Sequence, residues 1–296
     1  MSSSETIIFT KSNLVKSDAK NVYKVDFPVS TLMKDKSIAL SSITIPNSWF
    51  NITSQNTSAK FGNNTFSFTY PDGATNPTHN IVLQDGNYSV ADVNEFIQFY
   101  CRENNLYVID ADGNNVYFLA LSVNAPIYRL QFDSFQVYTA GNLPTGYTLP
   151  PGAPAPPTVN NTNPQLIISP IISPFLGFAT YSGFNAGTYP ALPTYNARYS
   201  VRSQNSPSVS TVSNVFVLCN IASNRYNPST SQVISSFNTL GAPFGTYIFF
   251  EPNTNNWVHC SGQQKNFITV SFVDNNFNPL YINDTDLIVN ILIRDD

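Results

Sequence analysis

The sequence predicts an all-β protein built as a single antiparallel sandwich. Three observations carry this. Short runs of alternating apolar residues recur between Asn/Asp/Gly/Pro turns, only one stretch has helical periodicity, and nothing repeats at a fixed period. Hydrophobic residues are 42% of the 296 and aromatics 14%, ample for a core, whereas charged residues are 11% against a usual share of about 25%. Asn, Ser and Thr take their place, and prolines (21) outnumber glycines (13), a mix suited to strands and loops. The expectation is one domain over 1–296, with an N-terminal arm over about 1–20 and a Pro-rich insertion or elaborated loop over about 140–200.

Glu5–Thr10 and Asn21–Phe27 read as strands. Tyr23, Val25 and Phe27 alternate on one face, and Pro28 is expected to end the run. Lys36–Asn51 (KSIALSSITIPNSWFN) is the organising strand. Ile38, Leu40, Ile43 and Ile45 share its buried side only if the alternation slips by one at Ser42, which predicts a β-bulge. Pro46 closes that ladder, and Trp49 and Phe50 set two large rings just beyond it.

Phe61–Tyr70 alternates and ends at Pro71-Asp72-Gly73, a turn; Ile81–Leu83 is a short strand. Ser89 and Asp92 stand at N-cap and N3 of the one convincing helix. Val90, Val93, Phe96, Ile97 and Tyr100 form its core-facing stripe, with Cys101 beside them as a small buried thiol.

Leu106–Ile109 and Val116–Val123 flank Asp110–Asn115, a hairpin turn. That loop lacks the ligand order and closing glutamate of a calcium loop, so the turn is preferred to a metal site. Ile127–Phe132 and Phe135–Tyr138 are further strands. Eleven prolines then fall between Pro144 and Pro193, including LPPGAPAPP at 149–157. A stiff surface loop is preferred there to a ligand for an aromatic groove, because no basic residue accompanies the prolines. Asn214–Ile221 reads as a fully buried strand, followed by Gln232–Phe237, Tyr247–Glu251, Asn266–Val273 and Asp286–Ile293.

Charge is uneven. Net charge is −4, which argues against general nucleic-acid binding. Six of eight lysines (Lys11, Lys16, Lys20, Lys24, Lys34, Lys36) lie in the first 36 residues, whereas Ser134–Phe250 holds no Asp or Glu and only Arg198, Arg202 and Arg225 carry charge. A neutral, amide-rich surface of this kind keeps a free monomer soluble poorly but enters an interface at little desolvation cost.

Three cysteines are too few for a disulfide framework, and no leader or apolar span is visible, so synthesis in a reducing cytosol is expected. The sequons at Asn51 and Asn283 are read as chance. His259 and Cys260, adjacent on a strand, point to opposite faces and cannot readily grip one ion. No G-x-S-x-G, HExxH or P-loop is present, so no catalytic, cofactor or metal residues are assigned and no enzyme is expected. Tyr181, Tyr189, Tyr195 and Tyr199 are read as a protein contact surface, with sugar stacking as the competing role.

The ordered segments IALSSITIPNSWFNI, FSFTY, IVLQDGNYSVADVNEFI, SPFLGF, VFVLCNI, FITVSFVDNNFNPL and DLIVNILIRD together resemble the single-jelly-roll penton (minor capsid) proteins of virophages, Polinton-like viruses and related large DNA viruses of eukaryotes. The resemblance covers most of the chain and lies in order and character. It implies two facing four-stranded sheets and a homopentamer plugging each vertex of an icosahedral capsid. It further implies contact with the major capsid protein, and no small-molecule substrate. The protein would be made in the host cytoplasm and reside in the virion. The N-terminal lysines would make at most a weak contact with genome or inner membrane. The competing readings are a receptor- or glycan-binding spike or fibre head, and a jelly-roll hydrolase or cupin-like metalloprotein.

Overall fold

Alternation of apolar side chains makes most of this chain strand, and long-range pairing decides how the strands are stacked. The computed structural model describes residues 4–17, 20–54, 62–139, 141–158, 163–180, 186–191, 197–209, 212–223, 232–239 and 241–296. The chain opens with β1 (Ser4–Thr10), β2 (Leu14–Ser17), β3 (Lys20–Leu32) and β4 (Lys36–Pro46). Then come β5 (Thr65–Thr69), β6 (Thr78–Val82), helix α1 (Val90–Glu103), β7 (Val108–Ile109), β8 (Asn115–Val116), β9 (Leu119–Asn124) and β10 (Arg129–Phe135). They are followed by β11 (Gln165–Ile168), the one-turn α2 (Ser173–Leu176), β12 (Gly187–Tyr189) and β13 (Arg198–Arg202). It closes with β14 (Asn214–Cys219), β15 (Val233–Asn238), β16 (Tyr247–Phe250), β17 (Val258–His259), β18 (Gln264–Val273) and β19 (Ile288–Asp295).

The described residues pack as two compact units with separate cores. The first comprises Met1–Phe50 and Ser210–Asp296; the second comprises Asn51–Asn56 and Phe61–Val209. Where the sequence suggests one domain elaborated over about 140–200, the interruption thus opens at Asn51. The LPPGAPAPP run at 149–157 lies inside the second unit, not at its ends.

The first unit is a jelly roll by strand order. One sheet runs β1-β19-β4-β16, with β17 also on β4, and the other runs β15-β14-β18-β3-β2. Setting aside the edge strand β2 and counting β16 and β17 as one, eight strands pair first with last: β1 with β19, β3 with β18, β4 with β16, β14 with β15. All are antiparallel. That nesting is the double Greek key of the jelly roll, and the second unit enters between its third and fourth strands. Residues from both sheets share one core, including Phe9, Tyr23, Ile38, Leu40, Val217 and Ile291. Burying a side chain of this kind contributes about 1.5–3 kcal/mol.

The slip expected in β4 is present. Asn290 pairs with Ser42 and Ile291 with Leu40, so the extra residue is Ser41, one before the Ser42 expected. Ile38 and Leu40 on one side of the bulge, and Ile43 and Ile45 on the other, all stay in the core. The N-terminal arm is not found as such: β1 lies in a sheet with Phe9 fully buried, and β2 pairs with β3. Nor does Pro28 end β3. The β18 ladder loses register between Asp26 and Thr31, where Pro28 offers no N–H, and then resumes through Leu32. β14 is half-exposed, not fully buried: Val215, Val217 and Cys219 point inward, while Phe216 and Leu218 are partly exposed.

The second unit has a four-stranded sheet β12-β11-β5-β6, a three-stranded sheet β13-β10-β9, and the pair β7-β8. The two strands expected over Ile127–Tyr138 are one, β10. Helix α1 starts as expected: Asp92 N–H donates to Ser89 Oγ and Ser89 N–H to Asp92 Oδ2. It buries Val90, Val93, Ile97 and Cys101. The Pro-rich segment is an ordered loop, for Ala155 N–H donates to Asp72 Oδ1 at 3.0 Å and Gly73 N–H to Ala155 O at 2.8 Å.

Candidate interaction surfaces

The residues weighed for chemistry lie apart. Asp110 spends its carboxylate on its own loop, accepting from the N–H groups of Asp112 and Asn114 and from the Asn114 side chain. Asp274 holds Asn276 and Asn278 in the same way. These are turn clamps. His79 stacks on Phe68 at 5.2 Å, and burial lowers its pKa. His259 Nδ1 lies 2.9 Å from Asp296 Oδ2. Among the described residues no three His, Cys, Asp or Glu side chains converge as a metal site. Among the described residues no helix is long and apolar enough to cross a membrane.

Of the four tyrosines read as a contact surface, Tyr181 and Tyr195 lie outside the described residues. Tyr189 is buried and donates its hydroxyl to Ala179 O, and Tyr199 packs against the second core. Tyr189 is therefore core and Tyr199 is half-buried against it, because the strands carrying them turn alternate side chains inward. The sequons at Asn51 and Asn283 are also engaged: Asn51 is buried, and Asn283 Nδ2 donates to Ser48 O at 2.6 Å.

Exposed apolar area gathers on the jelly roll. On the outer face of β1-β19-β4-β16 the register sets Thr10, Ile288, Thr44 and Phe249 in one row, with Ile8, Asn290 and Ser42 in the next. Phe249 is 65% exposed, Ile8 55% and Ile288 47%. No residue of these two rows carries a charge. Tyr247 at the end of the face reaches Asp286 Oδ2 at 3.3 Å. The opposite outer face, on β14-β18-β3, carries Phe216 stacked on Phe277 at 4.9 Å, with Leu218 and the exposed Phe267. Its Lys24 and Asp26 neutralise each other at 2.7 Å, and the Lys24 ammonium also sits 4.7 Å from the Phe267 ring centre. One sandwich thus presents two unlike outer faces, each with exposed apolar side chains. Alternation alone could have revealed the outward residues of each strand, but which of them become neighbours is set by pairing.

The second unit carries a contrasting surface. On the outer face of β13-β10-β9, Gln131 lies beside Arg202, Asp133 beside Ser200 and Phe135 beside Arg198. An open cleft of about 580 Å³ is lined by Gln131, Arg198, Ser200, Val201 and Arg202. Arg198 Nη2 and Nε donate to the buried Asp133 Oδ1 at 3.0 and 3.2 Å, and Gln131 Nε2 donates to the same carboxylate.

No protein-family model matches the chain, and no curated protein matches it. Among solved structures, the crystal structure of selenomethionine-labelled mavirus penton protein is similar over 98% of this chain and 97% of that one, at 9% identity and a TM-score of 0.45. A cryo-EM structure of the Sputnik virophage is similar over the same shares, at 9% identity and a TM-score of 0.39. The fold assignment rests on the strand order itself.

Proposed function

We propose that this chain is a structural virion protein, non-enzymatic, which forms a ring of five at the vertices of an icosahedral capsid against the major capsid protein. The observation that carries the proposal is the pair of exposed apolar faces on opposite sides of the jelly roll. Closed rings are built head to tail, one face of a subunit on a different face of the next, so a ring-former needs two unlike complementary patches. Phe249, Ile288 and Ile8 supply one; Phe216, Phe277 and Phe267 supply the other. Both are apolar or hydroxyl-bearing, so burying them costs little desolvation. A fold of this kind hosts many functions. What favours assembly is that its outward strand positions are apolar where those of a free monomer are usually charged.

The segments that resemble penton proteins fall on β4, β5, β6–α1, α2, β14, β18 and β19, so they form both the core of the jelly roll and the frame of the inserted unit. Of the six N-terminal lysines, Lys24 and Lys36 are paired with Asp26 and Asp295, which leaves a weak contact with genome or inner membrane to the others.

Light scattering on the purified full chain tests the reading. A mass five times the 32.7 kDa of one chain is expected, with reversion to monomer in the variant carrying Phe249→Glu and Ile288→Glu. A stable monomer at micromolar concentration, or a trimer unaffected by those substitutions, overturns it.

A further inference from the structure

We infer that the cleft on the outer face of β13-β10-β9 is a binding site for an acidic carbohydrate, a sugar chain bearing carboxylate or sulfate groups. The local charge runs against that of the chain. Arg129, Arg198 and Arg202 share this face with one carboxylate, Asp133, whereas the protein as a whole carries −4. The arrangement is also built in two parts. Asn124 Nδ2 donates to Gln131 Oε1 at 3.3 Å, Gln131 donates to Asp133, and Asp133 holds Arg198. This chain of bonds fixes the guanidinium of Arg198 over the Phe135 ring, 5.8 Å from its centre, while leaving Nη1 unspent. The Arg202 guanidinium, by contrast, has no hydrogen-bond or ion-pair partner among the described residues. A planar fork of donors without an acceptor matches a carboxylate or sulfate in two-point geometry.

The rest of the cleft chooses between anions. Ser200 is exposed between the two arginines, and the amide of Gln131 lies beside Arg202. A hydroxyl set between two guanidiniums suits a ligand that alternates hydroxyls with acidic groups, while the Gln131 amide is held by Asn124 and Asp133. A phosphate backbone would instead be met by denser positive charge and by stacking rings. The cleft, about 580 Å³, is shallow and open to solvent, a shape that suits an extended chain lying across it. Arg198 and Arg202 sit four residues apart on a strand, roughly 13 Å, so a short oligosaccharide and not a single sugar would engage both.

Calorimetric titration of the full-length protein, in whatever oligomer it forms, tests this with four probes: a heparin-derived hexasaccharide, a hyaluronan hexasaccharide, neutral maltohexaose and poly-glutamate. The expected result is binding of one or both acidic sugars, a loss of about tenfold or more with Arg202→Ala, and partial recovery with Arg202→Lys. The heparin and hyaluronan arms separate sulfate from carboxylate recognition. The Arg202 guanidinium has no partner among the described residues, so the variant tests the site without disturbing Asp133. Equal affinity of native protein and Arg202→Ala, equal or tighter binding of poly-glutamate, or no binding of either acidic sugar overturns the inference.

Discussion

Asn290 on β19 donates its Nδ2 to Ser42 Oγ on β4 at 2.8 Å, one residue from the place where the two strands slip out of step. The bond marks the bulge that lets Ile38 and Leu40 face the same core as Ile43 and Ile45. Ser42→Ala should cost about 1 kcal/mol, the net worth of one partly buried hydrogen bond. Deleting Ser41 should be far worse, since one half of β4 must then turn its isoleucines to the outer face. Urea unfolding measures both. A deletion variant with native cooperativity would show that the register is not held at this point.

Asn51 closes the inserted unit on itself. Its Nδ2 donates to Tyr88 O at 2.8 Å and to Val209 O at 2.9 Å, and its Oδ1 accepts from Tyr88 N–H at 2.8 Å. The unit's first residue thereby grips its last. Asn51→Ala should destabilise by about 1–3 kcal/mol by stranding these buried groups. Asn51→Asp should be at least as harmful, since a carboxylate would face two carbonyl oxygens. Hydrogen exchange at Tyr88 and around Val209 is the readout, and unchanged protection there would discount the clasp.

Acid should loosen the protein through identified carboxylates. The Asn114 backbone N–H holds Asp110 below the ordinary value of 3.8, and the Ser37 hydroxyl, with His259, does the same for Asp296. A folded pKa below the unfolded one contributes stability that is complete above the unfolded value and lost as pH falls through the folded one. For these two groups the thermal midpoint should therefore hold from pH 7 to ~5 and decline below ~4. Asp110→Asn should make the decline shallower. Both carboxylates are exposed, so the effect is small, and a midpoint insensitive to acid in the native protein would count against it.

The thiols should be inert in the folded state. Burial pushes Cys101 and Cys219 up to about 12 and Cys260 to about 11, so thiolate is scarce at neutral pH. Labelling with a thiol-specific disulfide reagent should be slow, with half-buried Cys260 first, and complete only in denaturant. Prompt reaction of Cys101 would mean that α1 opens readily.

Features set by near neighbours were legible in the chain itself. The cap of α1 needs only Ser89 and Asp92, the bulge in β4 follows from two pairs of isoleucine and leucine out of phase, and the turn at Asp110 follows from its run of Asp and Asn. The tyrosine surface misled because Gly and Pro around Tyr189 and Tyr199 suggest exposed loop, whereas β12 and β13 carry them inward. The interruption from Asn51 to Val209 carries no compositional mark at either end, because its closure is made by one side-chain amide and not by a linker. Above all, β1 with β19 and β3 with β18 are partners from opposite ends of the chain. Side-chain alternation says which face of a strand is apolar but not which strand will lie beside it. That choice belongs to the packed sandwich, and with it the two apolar faces and the arginine cleft.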